Sequence, residues 1–206
     1  MKLVFLDTET SDRSPGQICQ LTYIIYNTNP VSPDEKVRAK NFFFSVDYIS
    51  ETAYNVHGFD VETLKNLSGN LKFKDIYKLF KKDLMESDFI LGHNINFDIS
   101  FLKKEFERIN IEFEPKNLFC SMNYFKKILK LKSSIGTLKS PKLSELLTYL
   151  KISEENILDS TKKFFNSEDS YFHDARFDTT ALYLAIVKSI KLNLISNGYF
   201  SNKLWF

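Results

Sequence analysis

Acidic residues interrupt apolar runs at three places in this chain: Asp7 and Glu9 in Leu6-Asp7-Thr8-Glu9-Thr10, Asp98 in Gly92-His93-Asn94-Ile95-Asn96-Phe97-Asp98, and Asp178 in His173-Asp174-Ala175-Arg176-Phe177-Asp178. A strand's two-residue period puts Leu3, Phe5, Asp7 and Glu9 on one face, so two carboxylates emerge side by side where an apolar strand ends. Like charges so placed repel, and unless a cation binds between them one must keep its proton or cost stability. Hard divalent ions such as Mg²⁺ take carboxylate oxygens while keeping several waters. A strand closing in a polar turn accounts for Asp7 and Glu9 as well. Helical spacing puts Asp98 on the stripe of Phe101, Leu102, Glu105 and Phe106, where the helix dipole offers a plainer reason for a first-turn acid. Asp178 shares a face with Ala181, Leu182 and Ala185, and His173, at a loop-to-helix junction just before it, is positioned to reach the same space. Three separate inward carboxylate sites in one small domain are hard to explain by packing, and a cation held among them explains all three.

The elements that must position these residues alternate in type. Residues 2–7, 18–26 and 40–46 read as strands separated by turn signals, in an antiparallel meander. Helical segments are expected over 50–55, 61–67 and 73–85, the last with Phe73, Ile76, Tyr77, Phe80 and Leu84 on one face. Residues 89–92 form a short apolar strand, Asn94 or Asn96 can cap a helix, and 97–109 has helical period. After a lysine-rich loop come helices over 142–150 and 175–192, the second nearly apolar all round and therefore buried. Residues 133–141 read as a mobile loop. The fold class is α/β.

At 206 residues the chain is expected to be one domain, residues 1–206, and its 43% hydrophobic and 26% charged content excludes a disordered chain. No apolar run approaches the roughly 18 residues of a membrane helix and the first residues are too few for a signal peptide, so the expectation is a cytoplasmic protein with no membrane partner. Cys19 and Cys120 have neither disulfide nor zinc spacing and are read as small buried hydrophobes. The net charge of +2 decides nothing about partners. Lys126, Lys127, Lys130, Lys132, Lys139 and Lys142 do crowd one stretch, with Lys162 and Lys163 in a second cluster; a solvated surface and a phosphate-binding one both fit.

Taken in order, Leu6-Asp7-Thr8-Glu9-Thr10, the GHNINFD segment at residues 92–98 and the HDARFD segment at residues 173–178 resemble the three exonuclease motifs of the DEDDh (DnaQ-like) 3′→5′ exonucleases, which include proofreading subunits and domains of bacterial replicative polymerases. Ala53-Tyr54-Asn55-Val56-His57-Gly58 is similar to the family's element near the terminal nucleotide, and Lys142-Leu143-Ser144-Glu145-Leu146 to its helix after the variable loop. The subtype follows from His173, because the DEDDy branch has Tyr where this chain has Asp174. Two departures stand out: Thr10 is followed by Ser11-Asp12 where the family usually has Thr-Gly, and Cys120-Ser121 replaces a common Asp-Thr pair.

The resemblance implies an RNase H-like fold, a mixed sheet of about five strands flanked by helices. It implies a two-metal site with two Mg²⁺, Mn²⁺ substituting, held by Asp7, Glu9, Asp98 and Asp178, with His173 as general base and nucleoside 5′-monophosphates as products. Thr8, Thr10, Val56, His57, Asn94 and Phe97 are the implied substrate contacts, and Tyr54, Phe59 and Phe97 are candidate stacking platforms. The implied substrate is the 3′ end of DNA, single-stranded or frayed, with a polymerase or another replication or repair protein as partner. An exoribonuclease similar to oligoribonuclease or RNase T shares the same motifs, and a non-catalytic nucleic-acid-binding module is the third alternative.

Overall fold

The computed structural model describes residues 1–13, 16–166 and 174–201. Strand β1 (Lys2–Thr10) lies in the middle of a five-stranded sheet of order β3-β2-β1-β4-β5. Strands β2 (Ile18–Asn27) and β3 (Val37–Phe43) follow it antiparallel, while β4 (Phe89–Gly92) and β5 (Leu118–Cys120) join parallel on its other side. The sheet is mixed because β1 to β3 are joined by direct turns, whereas β4 and β5 return after helices. Nine α-helices are described: α1 (Glu51–His57), α2 (Val61–Ser68), α3 (Phe73–Ile76), α4 (Lys78–Met85), α5 (Ile95–Glu107), α6 (Ser121–Leu129), α7 (Leu143–Leu150), α8 (Glu154–Phe165) and α9 (Ala175–Lys191). None is long and apolar enough to cross a membrane.

Because β1 is covered on both faces, its apolar run is continuous and its two registers feed two cores. Leu3 and Phe5 pack with Phe89, Leu91, Phe177, Ala181 and Leu182 under α9. Val4 and Leu6 pack with Phe80, Ile99, Leu102 and Phe106 under α4 and α5. The face that carries Asp7 and Glu9 therefore looks toward α9, and the face that carries Thr8 looks toward α5.

Several boundaries differ from the sequence expectation. The third strand is Val37–Phe43 rather than residues 40–46, because register with β2 pairs Val37 with Tyr26 and Phe43 with Gln20. Phe44 and Val46 continue the apolar pattern as buried residues beyond the strand. The helix expected over 73–85 is two helices meeting at Tyr77. Strand β5 and helix α6 occupy a stretch that reads as a lysine-rich loop, and α8 forms where no helix is expected. Its signals are nonetheless in the chain: Ser153 accepts the Asn156 amide as N-cap, Glu154 and Glu155 fill the first turn, and Lys162 and Lys163 the last. Cys19 is buried as expected, but Cys120 is half-exposed, since β5 is the edge of the sheet.

Candidate active site

Asp7, Glu9 and Asp178 each present a carboxylate oxygen within 4.8 Å of the others. The first two come from the end of β1, the third from the first turn of α9, whose start is fixed by a buried network. Asp174 caps α9 by accepting the Arg176 amide at 2.8 Å, and the Arg176 Nε donates to both its carboxylate oxygens at 2.9 and 3.1 Å. Gln20 of β2 reaches the same turn, donating to Asp174 at 3.1 Å and accepting the Ala175 amide at 3.2 Å. Asp174, only 2% exposed, is thus a positioning residue that the motifs do not single out.

Asp98 arrives from the opposite face of β1. Thr8 donates to its Oδ1 through both the backbone amide, at 3.1 Å, and the hydroxyl, at 2.7 Å. The β4–α5 turn that delivers it is tight: Asn94 sits at φ 70°, which Asn tolerates, and a Cβ on Gly92 would lie 2.6 Å from Ile95 Cδ1. Glu105 on the same stripe has another role, accepting the Ile18 amide at 3.0 Å and pairing with Arg108 at 2.7 Å.

Burial and mutual repulsion dominate the electrostatics of the acids. Burial pushes Asp7 well above the usual carboxylate range, and the charges of Asp98, Asp178, Glu9 and Asp174 push the same way. Burial likewise raises Glu9, followed by Asp178, Asp174 and Asp98. Burial raises Asp98 to about 7 in spite of the Thr8 donors that favour its charged form. All-oxygen donors that repel one another this strongly match a hard divalent cation.

A hollow of about 520 Å³ opens beside Glu9, lined also by Thr8, Thr10, Asp12, Arg13, Val56, His57 and Phe97. Five of the six sequence-expected contacts meet there, whereas Asn94 is exposed outside it. The Thr8 hydroxyl is engaged by Asp98, and that of Thr10 donates to the Asp12 carbonyl at 3.0 Å. At His57, Nδ1 accepts the Phe59 amide at 3.0 Å, so Nε2 carries the proton and donates to the Thr10 carbonyl at 3.2 Å. Burial holds this imidazole below its usual pKa, so it is neutral and ties α1 to β1. Phe59 stacks on His57 at 5.3 Å and packs edge-on against Phe43, while Tyr54 is exposed away from the hollow. Ser11, at the family's second threonine position, is buried, and its hydroxyl accepts the Gln17 amide at 2.9 Å, closing the β1–β2 turn, while Asp12 stands at the usual glycine position and lines the hollow. His173 lies outside the described residues.

A second hollow, also about 520 Å³, opens on Asp7 and Asp178 rather than on Glu9, and is lined also by His93, Met122, Ser140, Pro141, Lys142, Leu143 and Ser144. His93 bridges its walls, hydrogen-bonded to Ser121 Oγ and, through Nε2, to the Pro141 carbonyl, both at 2.9 Å.

Comparison with known proteins agrees with this architecture. The chain is 42% identical over 52 residues to the 3′-5′ exonuclease DinG of Staphylococcus epidermidis, a match covering 25% of this chain and 5% of that protein. The DinG of Staphylococcus haemolyticus is 36% identical over 74 residues, 36% of this chain and 7% of that protein. These matches therefore span less than a tenth of the curated relatives' length. Among solved structures, E. coli exonuclease I in complex with a dT13 oligonucleotide superposes with a TM-score of 0.66 at 17% identity, covering 92% of this chain and 41% of that one. The nuclease domain of 3′hExo, a DEDDh family member bound to rAMP, gives 0.62 at 12% identity, with 92% of each chain covered. The sheet order and flanking helices are thus those of an RNase H-like fold. With the exonuclease family model matching residues 4–186, which include Asp7, Glu9, Asp98 and Asp178, the chain belongs to the exonuclease family.

Proposed function

We propose that the protein is a 3′→5′ exonuclease that hydrolyses the terminal phosphodiester bond of DNA, single-stranded or frayed, and releases nucleoside 5′-monophosphates. The observation that carries the reading is the convergence of Asp7, Glu9 and Asp178 on one point beside a nucleoside-sized hollow, with Asp98 across β1. Asp7, Glu9, Asp98 and Asp178 would hold divalent cations, two Mg²⁺ or Mn²⁺ in our reading. Such ions supply charge neutralisation for the reacting phosphate and a more acidic water. The half-apolar hollow of Val56, His57 and Phe97 takes the terminal nucleoside, placing its phosphate over the acids. His173, from its position in the motif, takes the proton of the attacking water, a role suited to an imidazole near its ordinary pKa of about 6.5.

The preference for DNA rests on the GHNINFD segment and on Val56-His57-Gly58, which look closest to the proofreading branch. We place the protein in replication or repair, alone or beside a polymerase. The test is a 5′-labelled oligonucleotide, as DNA and as matched RNA, with Mg²⁺, Mn²⁺ or EDTA. A ladder of shortened products with metal, lost in EDTA and in Asp7→Ala and His173→Ala, is the expected result. Binding without shortening would sink the catalytic reading, and a ladder on RNA alone would overturn the choice of DNA.

A further inference from the structure

The segment between α6 and α7 is a hairpin rather than the loop its sequence suggests. Lys132 and Leu138 pair antiparallel, and the Ser133 amide donates to the Thr137 carbonyl at 2.8 Å. The Lys139 amide donates to the Leu131 carbonyl at 3.0 Å, and Gly136 at φ 81° supplies the left-handed residue of the tip. The base is fastened beside the acids. His93 holds the Pro141 carbonyl, Lys139 pairs with Glu145 of α7, and Ser140, Pro141 and Lys142 line the hollow that reaches Asp7 and Asp178. The tip is bare, with Ile135 83% exposed; nearer the base Leu138 is 54% exposed, and among the described residues neither Lys130, the C-cap of α6, nor Lys132, both exposed, has a carboxylate partner.

We infer that this hairpin guides the nucleic-acid strand on the 5′ side of the cleaved bond. The inference rests on the nuclease reading above. If the terminal nucleoside fills the hollow beside Glu9, the rest of the strand must leave across the acids, and the second hollow opens there, continuous with the hairpin base. A strand alternates phosphates with flat apolar bases; the hairpin and its approach offer the exposed ammonium groups of Lys130 and Lys132 and an exposed Ile135 to match both. Phosphates lie on Lys130 and Lys132, and a base lies against Ile135. An acidic protein partner would match the charge but would have no reason to adjoin the hollow that opens on Asp7 and Asp178.

The experiment compares the wild type with Lys130→Ala/Lys132→Ala and with Ile135→Ser, full chain, in Mn²⁺. One substrate is a single strand of about 12 nucleotides; the other is the p-nitrophenyl ester of thymidine 5′-monophosphate, too short to reach the hairpin. The lysine pair should raise KM for the long substrate roughly tenfold with kcat little changed. It should also flatten the dependence of log KM on log salt by about 1.4, since each single-strand phosphate that a lysine neutralises adds about 0.7 to the slope. Ile135→Ser should raise that KM several-fold without altering the salt slope, and ester hydrolysis should stay at the wild-type value in both. An unchanged KM and salt slope in the lysine pair overturns the proposal and assigns the hairpin to a protein partner. Equal losses on both substrates overturn it too, because they report a disturbed acid centre. A wild type inactive on both substrates is failure of the nuclease reading alone; the salt slope of oligonucleotide binding, read by fluorescence anisotropy, then decides the hairpin's role.

Discussion

Thr8 holds Asp98 with two donors on one oxygen, its amide at 3.1 Å and its hydroxyl at 2.7 Å. The contact joins the even-numbered face of β1 to the first turn of α5 and places two donors on the Asp98 carboxylate. Burial lifts it to about 7, and the Thr8 donors act against that rise.

Thr8→Val keeps the volume and removes one donor to the charged form. Losing a hydrogen bond to a carboxylate is worth about 1.5 kcal/mol, roughly one pH unit. We predict that the rising limb of kcat/KM against pH moves up by up to that amount, with a smaller loss at pH 9 than at pH 6.5. A limb at the wild-type pH would mean that the Asp98 proton is not sensed in turnover.

The metal-free protein should lose stability as pH rises. Asp98 binds its proton more tightly folded, at about 7, than unfolded, at 3.8, so between those values the native state holds more protons and unfolding becomes easier with increasing pH. Asp7 and Glu9 shift in the same direction. Differential scanning fluorimetry in EDTA should therefore give a lower Tm at pH 8 than at pH 5.5. Mn²⁺ should raise Tm more at pH 8, where protons no longer compete for the carboxylates. A larger Mn²⁺ gain at pH 5.5 would contradict the assigned shifts.

Asp7→Asn removes a charge that four neighbouring acids oppose. The metal-free variant should melt a few degrees above the wild type at pH 8. Its nuclease activity should fall by roughly a thousandfold, the equivalent of about 4 kcal/mol of transition-state stabilisation. Stability and activity moving in opposite directions is the diagnostic pattern; a variant both inactive and less stable would instead indicate damage to β1.

Gly92→Ala places a methyl group 2.6 Å from Ile95 Cδ1. Overpacking of this kind costs about 1–3 kcal/mol, and here the strain falls on the turn that delivers Asp98. We expect a lower midpoint in urea and a fall in kcat with KM for DNA little changed. Coupling to Ile95 is checked by adding Ile95→Val, which should restore part of both.

How much of the molecule is legible in the chain depends on the range of the interaction. β1 is legible because each residue's face follows from a two-residue period; Asp98 and Asp178 are legible because Phe101, Leu102, Ala181 and Leu182 mark the inward side of their own helices. Strand β5 is not, since Leu118–Cys120 is three residues long and is a strand only because it pairs with β4. Helix α8 can be found from its caps alone.

The sequence by itself determined which groups can do chemistry and which way each points along its own element, because both depend on residue identity and local backbone period. Tertiary structure decided the rest. It brought Asp178 against Asp7 and Glu9 on one face of β1 while seating Asp98 against Thr8 on the other. It engaged the Thr8 and Thr10 hydroxyls and both His57 nitrogens within the protein, and it buried Ser11 with its hydroxyl accepting the Gln17 amide. Those assignments depend on partners far apart in the chain, 90 residues for Thr8 and Asp98 and more for Asp7 and Asp178, whose meeting is set by sheet order and core packing rather than by any local pattern.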